Sequence, residues 1–234
     1  MDTFKGFSKD SLFLLSQNKL NDSRSFYEEH KAQLKNSITV PMRHICSDLG
    51  ELLFGIDPMM ELDPVKMVSR IRRDTRFSKN KDMYRDNIWA MFMRSKHKWN
   101  CQPCMWFEFI PTGYTIGVGI YDPKPAYMES FRKKMLEDPD AFRRALKSIK
   151  KVHAEVDREN YKKDKDGEIP HDLKDYYNSK YLFFMYFNSD LTPLYDGTVM
   201  NDLKRCIKAY APMYKFLLSA TEDYISKTKG GNEQ

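Results

Sequence analysis

The apolar residues change their spacing part-way along the chain, and that switch restricts the fold more than any other feature. From Ser23 to about Leu53, Phe26, Leu34, Ile38, Met42, Ile45, Leu49 and Leu52 step by three, four or their multiples. This is the stripe of an amphipathic helix. Pro41 sits inside it without an amide hydrogen to donate, so a bend or split is expected there, and Gly55 and Pro58 end the pattern. Between Val65 and Tyr121 the period becomes two and β-formers dominate, which predicts strands near residues 65–72, 87–94, 104–111 and 114–121. The last two form a hairpin about Pro111-Thr112-Gly113, where glycine supplies a positive φ.

Helical signals flank this β region. Ser8 is placed to cap a short helix reaching Lys19. Helical spacing returns over residues 125–136 and 141–150, with Asp138 or Asp140 as N-cap. Residues 155–171 are charged and contain Gly167 and Pro170, predicting a loop with one edge strand. The apolar run from Tyr181 into Asn188 predicts a strand buried on both faces, and residues 198–227 a final long helix. Helices, a run of strands, helices, a lone strand and a helix give an α+β fold. We expect a central antiparallel sheet packed by the N-terminal and C-terminal helices. One domain is expected over residues 1–228, with 229–234 as a disordered tail.

Composition narrows the function classes. With 41% hydrophobic and 31% charged residues, the chain can bury a core and is not a disordered polymer. Its longest apolar run, Tyr181–Phe187, is far below the roughly 20 residues a membrane helix needs. No membrane association is expected. Cysteines 46, 101, 104 and 206 form no disulfide framework, which suits a reducing compartment and a cytoplasmic protein. A net charge of +6 is modest for a nucleic-acid binder, so that partner class is disfavoured.

The charge is clustered. Between Arg70 and Arg85, seven of sixteen residues are Arg or Lys, answered locally only by Asp74 and Asp82. Such a cluster persists by solvation, by pairing with remote acids, or by taking an anion. In an extended segment Arg70 and Arg72 share one face while Ile71 and Arg73 take the other, so only part of the cluster can converge. Arginine forks grip carboxylate or phosphate with two parallel hydrogen bonds, and lysine adds a point charge. We therefore name Arg70, Arg73 and Arg76 as anion donors, Lys79 and Lys81 as gate charges, and Tyr84 beside Arg85 as an orienting hydroxyl. The small ligand would carry phosphate or carboxylate. The competing reading is a structural ion-pair network in which Arg70 or Arg73 holds Asp74 and remote acids such as Glu108.

Chemistry beyond binding would need Glu108 or Asp74 as general base, but flanking arginines pair or depress both. Whether the chain is an enzyme stays open. His97, Cys101 and Cys104 offer three nitrogen or sulfur atoms without a local fourth ligand, so two small buried thiols are the expected reading and no metal is assigned. Gly113, Gly117 and Gly119 lack the dinucleotide spacing, and no cofactor is expected. Glycines at 117 and 119 bare one strand face, and a cavity is expected where that face adjoins the arginine segment. Trp89, Trp99 and Trp106 are expected as packing residues.

Several of these residues carry a family likeness. They are the Phe4-Lys-Gly-Phe7 opening, the segment Asn21–Lys31, Arg70-Ile-Arg-Arg-Asp-Thr-Arg-Phe-Ser-Lys-Asn-Lys81, Tyr84-Arg85, and Gly113-Tyr114 with Gly117 and Gly119. Together they resemble the domain-of-unknown-function 2461 family, a set of uncharacterised bacterial and fungal proteins. The resemblance implies no activity. Two departures stand out: Met83 precedes Tyr84-Arg85 where the family has proline, and Ser25-Phe26 replaces its Trp-Phe pair. The late Pro-Lys-Gly-Phe type loop is also reordered here, as Gly167-Glu-Ile-Pro170 followed by His171.

Overall fold

Ser23 opens the helical half of the fold: its hydroxyl accepts the Phe26 amide at 3.2 Å and starts α2, Arg24–Leu34. The structure is a computed structural model that describes residues 3–76, 78–94, 101–165 and 167–230. A short helix, α1 (Lys9–Asn21), precedes α2, and Asp22 between them adopts φ 41. Ser8 stands at the N-cap position of α1, but its hydroxyl meets Ser11 instead of capping. Pro41 does not break the expected helix. It is preceded by a π turn, Lys35–Thr39, in which the Val40 amide reaches back to the Lys35 carbonyl, and α3 (Val40–Asp48) continues from it. A π turn relieves the missing donor and the clash that proline imposes on the previous turn. Then α4 spans Gly50–Ile56.

The expected strand at 65–72 is not formed. Asp63 accepts the Val65 amide at 2.9 Å and Pro64 takes the first helical position, so residues Pro64–Met67 make one helical turn, α5. Capping and a proline with pre-set φ outweigh the β propensity of two valines. The following ribbon runs antiparallel to residues 83–90 through two isolated bridges, Val68 with Ala90 and Arg72 with Tyr84. The true strands are β1 (Ile88–Phe92), β2 (Cys104–Ile110), β3 (Gly113–Ile120), β4 (Glu155–Asn160) and β5 (Ser179–Asn188). They form one antiparallel sheet in the order β1-β2-β3-β5-β4. Between β3 and β4 lie α6 (Pro125–Glu137) and α7 (Pro139–Lys150), and Asp138 caps α7 through the Ala141 amide at 2.8 Å. The single turn α8 (Lys174–Tyr177) precedes β5, and α9 (Thr192–Asp196) and α10 (Val199–Gly230) follow it. The last helix thus passes residue 228, and residues 231–234 lie outside the described residues.

The chain divides into two compact units, each drawn from three stretches. The first comprises Met1–Phe92, Trp106–Thr115 and Phe187–Lys204. Its core includes Leu34, Ile38, Met42, Ile45 and Leu49 from the helical stripe, together with Phe107 and Phe109. The N-terminal Phe-Lys-Gly-Phe opening belongs to this core: Phe7 meets Phe109 edge-on at 4.9 Å, and its amide bonds the Leu194 carbonyl at 2.8 Å. Gly6, at φ 109, lies so close to the Tyr195 carbonyl that a Cβ would sit 2.0 Å from its oxygen. No side chain fits there.

The second unit comprises Met93–Met105, Ile116–Tyr186 and Arg205–Gln234. Phe142 on α7 meets Phe131 and Phe216 at 5.7 and 5.0 Å, and Tyr210 donates to the Ile116 carbonyl at 2.9 Å. Strand β5 is not buried on both faces: Leu182 and Phe184 are buried, whereas Tyr181 and Phe183 are half-exposed. Its neighbour β4 is exposed along nearly its whole length and carries Glu155, Asp157, Arg158 and Glu159, charges that discourage further strand pairing at an edge. Among the described residues, no helix is long and apolar enough to cross a membrane.

Candidate anion-binding groove

The period-two alternation read in the arginine segment survives without a regular strand. Ile71 is buried, and Arg70 and Arg72 on either side of it are exposed. The ribbon is held in place by backbone bonds from Ser69 to the Trp89 carbonyl (2.8 Å), Arg73 to Met83 (2.8 Å) and Arg85 to Ile71 (3.1 Å). Asp22 fixes its returning limb, one carboxylate oxygen accepting the amides of Met83 (2.8 Å) and Tyr84 (3.0 Å). The left-handed backbone at Asp22, a conformation Asp and Asn tolerate well, aims that carboxylate outward from the α1–α2 corner.

The ribbon forms one bank of a groove of about 800 Å³ within the first unit. The other bank is helical, contributed by α2, the π turn and the start of α3 through Tyr27, Lys31, Lys35, Thr39 and Arg43. Leu34, Val68 and Ile71 supply an apolar floor. Seven lining residues are cationic (Lys31, Lys35, Arg43, Arg70, Arg72, Arg73, Arg76) and two are acidic (Glu28, Asp74). That imbalance leaves cations that are solvated, neutralised from within, or open to an outside anion.

Pairing is uneven. Asp74 takes the Arg76 guanidinium with two bonds, at 3.0 and 2.7 Å, and these hold its carboxyl down at about 2. Arg73 donates to Ser78 at 3.4 Å and lies 3.9 Å from Asp82, a carboxylate shared with Lys19. Lys31 meets Glu28 at 3.2 Å. In contrast, the side chains of Arg70, Arg72, Lys35 and Arg43 make no hydrogen bond or ion pair among the described residues, and the Arg43 Nε is buried without an acceptor. A structural network thus engages part of the cluster and leaves the rest facing the groove.

Of the residues named from sequence, the groove brings together Arg70, Arg73, Asp74 and Arg76, with Arg76 committed to Asp74. It does not include Lys79, Lys81, Tyr84, Arg85 or Glu108. Lys79 is exposed, and Lys81 donates to the Thr75 carbonyl at 3.1 Å. Tyr84 is 1% exposed and stacks on Tyr27 at 4.8 Å; burial raises its hydroxyl pKa, and it acts as backing for the groove wall. Arg85 lies over the Trp89 ring at 4.4 Å, where burial lowers its guanidinium pKa. Glu108 is held by the Asn87 amide rather than by a guanidinium, and burial raises its carboxyl pKa despite that bond and the nearby Arg85.

One further sequence expectation changes. The glycine-bearing strand does not line the groove: a Cβ on Gly119 would meet the Leu182 carbonyl and Phe183, so that bare face is closed by β5. Gly113 does take a positive φ, of 154, and admits the close approach of the Asn188 carbonyl. His97 and Trp99 lie outside the described residues, while Cys101 and Cys104 are buried and in no disulfide, with burial pushing Cys104 up to about 12.

Arg72 and the helical bank were missing from the sequence-predicted site. A signal for the bank was present: Tyr27, Lys31, Lys35, Thr39 and Arg43 recur every four residues along the polar side of the apolar stripe. Like charges at that spacing weaken a helix slightly, so their repetition is itself a pointer.

The family model for DUF2461, described as conserved hypothetical protein, matches residues 10–216. The chain belongs to this family. The match spans both banks of the groove and leaves the Phe4–Phe7 opening outside it. No curated protein matches the chain.

Proposed function

We propose that the chain binds a small anionic ligand, bearing phosphate or carboxylate, in the groove between the arginine ribbon and the α2–α3 helical bank. The observation that carries this reading is the set of four cations, Arg70, Arg72, Lys35 and Arg43, whose side chains make no hydrogen bond or ion pair among the described residues and line one cavity of about 800 Å³. The cavity's size suits a small molecule, and its buried floor lowers the local dielectric around any anion that enters.

A hydrolytic or proton-transferring role for this groove has less support. Asp74 is tied to Arg76 and strongly acidic, a poor general base, and Glu108 lies outside the lining. The test is a thermal-shift screen of orthophosphate, nucleotides and di- and tricarboxylates. At about 100 times the dissociation constant, a ligand adds about 2.7 kcal/mol, which for a chain this size raises Tm by about 5–10 °C. Arg72→Gln should abolish most of that shift while leaving the unliganded Tm nearly unchanged. Absence of any stabilising anion, or a shift that Arg72→Gln does not reduce, overturns the reading.

A further inference from the structure

The helical bank carries more than positive charge. Lys31, Lys35, Thr39 and Arg43 form a row of donors at four-residue steps, with the Tyr27 ring at its head. In an unbroken α-helix four residues overshoot one turn by about 40°, so a row of this length would wind away from the groove. The π turn at Lys35–Thr39 intervenes in the middle of the row. It holds more residues per turn, so its four-residue step falls short of a full turn and brings Arg43 back to the side that carries Lys31 and Lys35. Pro41 keeps the π turn from relaxing to α, because an α continuation would meet its ring and lack its donor.

The result is a row of donors that winds less than an unbroken α-helix would make it, extending somewhat under about 18 Å along the helix axis. Across from it stand Arg70 and Arg72. One isolated anion can engage only one or two of these groups, leaving the others repelling one another. We infer that the groove is built for a small molecule carrying several phosphate groups, gripped from both banks at once by Lys35 and Arg43 on one side and Arg70 and Arg72 on the other. This rests on the anion-binding reading above and specifies its ligand class. Phosphate is favoured over carboxylate because each group offers enough oxygens to accept from both banks. A small molecule is favoured over a nucleic-acid strand because the cavity is of small-ligand size and the net charge is only +6.

The experiment titrates the full chain with inorganic tripolyphosphate and, separately, with orthophosphate by calorimetry. Linked phosphates held by both banks should bind at least about 100-fold more tightly than orthophosphate. Lys35→Gln and Arg72→Gln, one from each bank, should each weaken tripolyphosphate about tenfold or more. Their double variant should lose less than the product of the two single losses, since either change already frees one side of the ligand. The exposed Lys147→Gln, an equal change of charge on α7, should alter affinity by less than about twofold. Equal affinity for the two anions overturns the multi-phosphate assignment and leaves simple anion binding standing. No heat with either anion up to about 10 mM overturns both. A single-stranded oligonucleotide that displaces tripolyphosphate, and binds more tightly as its length outgrows the groove, replaces the small molecule with a strand.

Discussion

Removing the Asp22 carboxylate should unfasten the arginine ribbon. Its Oδ1 accepts two backbone amides, Met83 at 2.8 Å and Tyr84 at 3.0 Å, both at a half-buried site. A hydrogen bond to a charged acceptor contributes about 1.5–3 kcal/mol when fully buried, so with partial exposure each is placed at about 1–1.5 kcal/mol. Alanine would also have to hold the left-handed backbone that Asp22 adopts at φ 41, at about 1 kcal/mol. Asp22→Ala is therefore expected to lose about 3–4 kcal/mol, a fall in Tm of about 6–16 °C at about 2–4 °C per kcal/mol. Asp22→Asn keeps an acceptor oxygen and tolerates the same backbone, so it should lose about 1 kcal/mol. Urea denaturation monitored by circular dichroism measures both. If Asp22→Ala costs under about 0.5 kcal/mol, or if asparagine is as damaging as alanine, the carboxylate does not anchor the ribbon.

Further outcomes follow from other sites. Phe142→Ala, in the aromatic cluster with Phe131 and Phe216, should destabilise by about 3–5 kcal/mol through cavity formation, and a loss under about 1 kcal/mol would mean that the cluster is not packed as described. Burial raises the Glu108 carboxyl above its ordinary 4.5, so the native chain keeps a proton that the unfolded chain releases; that stability is present below 4.5 and lost as pH rises through the folded value. Glu108→Gln should accordingly stabilise at pH 7 and be near neutral at pH 4, and an equal effect at the two pH values contradicts the burial. Asp74, held near 2 by Arg76, should titrate at that pH by carbon-detected NMR and move up toward its ordinary 3.8 in Arg76→Ala; no movement would rule out the bidentate pair. Any stability from that exposed pair is present above 3.8 and fades as pH falls through about 2.

The α+β class was legible because it depends on periodicity, a local property: the stripe from Phe26 to Leu52 and the alternation over β2 and β3 each state their own geometry. The strand expected at 65–72 was lost to Asp63 and Pro64, whose capping chemistry acts on one turn and overrides averaged propensity. The apolar run of β5 suggested two buried faces, but exposure there depends on what covers the sheet, a tertiary fact that Tyr181 and Phe183 do not encode. Half of the candidate groove was visible as the arginine cluster. Partner choice was not: Arg76 rather than Arg70 or Arg73 takes Asp74, and Asn87 rather than an arginine takes Glu108. The helical bank was overlooked although its four-residue spacing stands in the sequence, because the segments around residues 35 and 72 meet only in the folded chain.

A crystal soaked in tungstate, a heavy tetrahedral stand-in for phosphate, would locate the anion by its anomalous scattering. The strongest peak is expected in the groove, within hydrogen-bonding reach of Arg72 or Arg70 on the ribbon and of Arg43 or Lys35 on the helical bank. Tungstate bound elsewhere on the chain, with the groove free of anomalous signal and its guanidinium groups turned onto the protein's own oxygens, would contradict the proposed role and leave the arginine cluster as part of the scaffold.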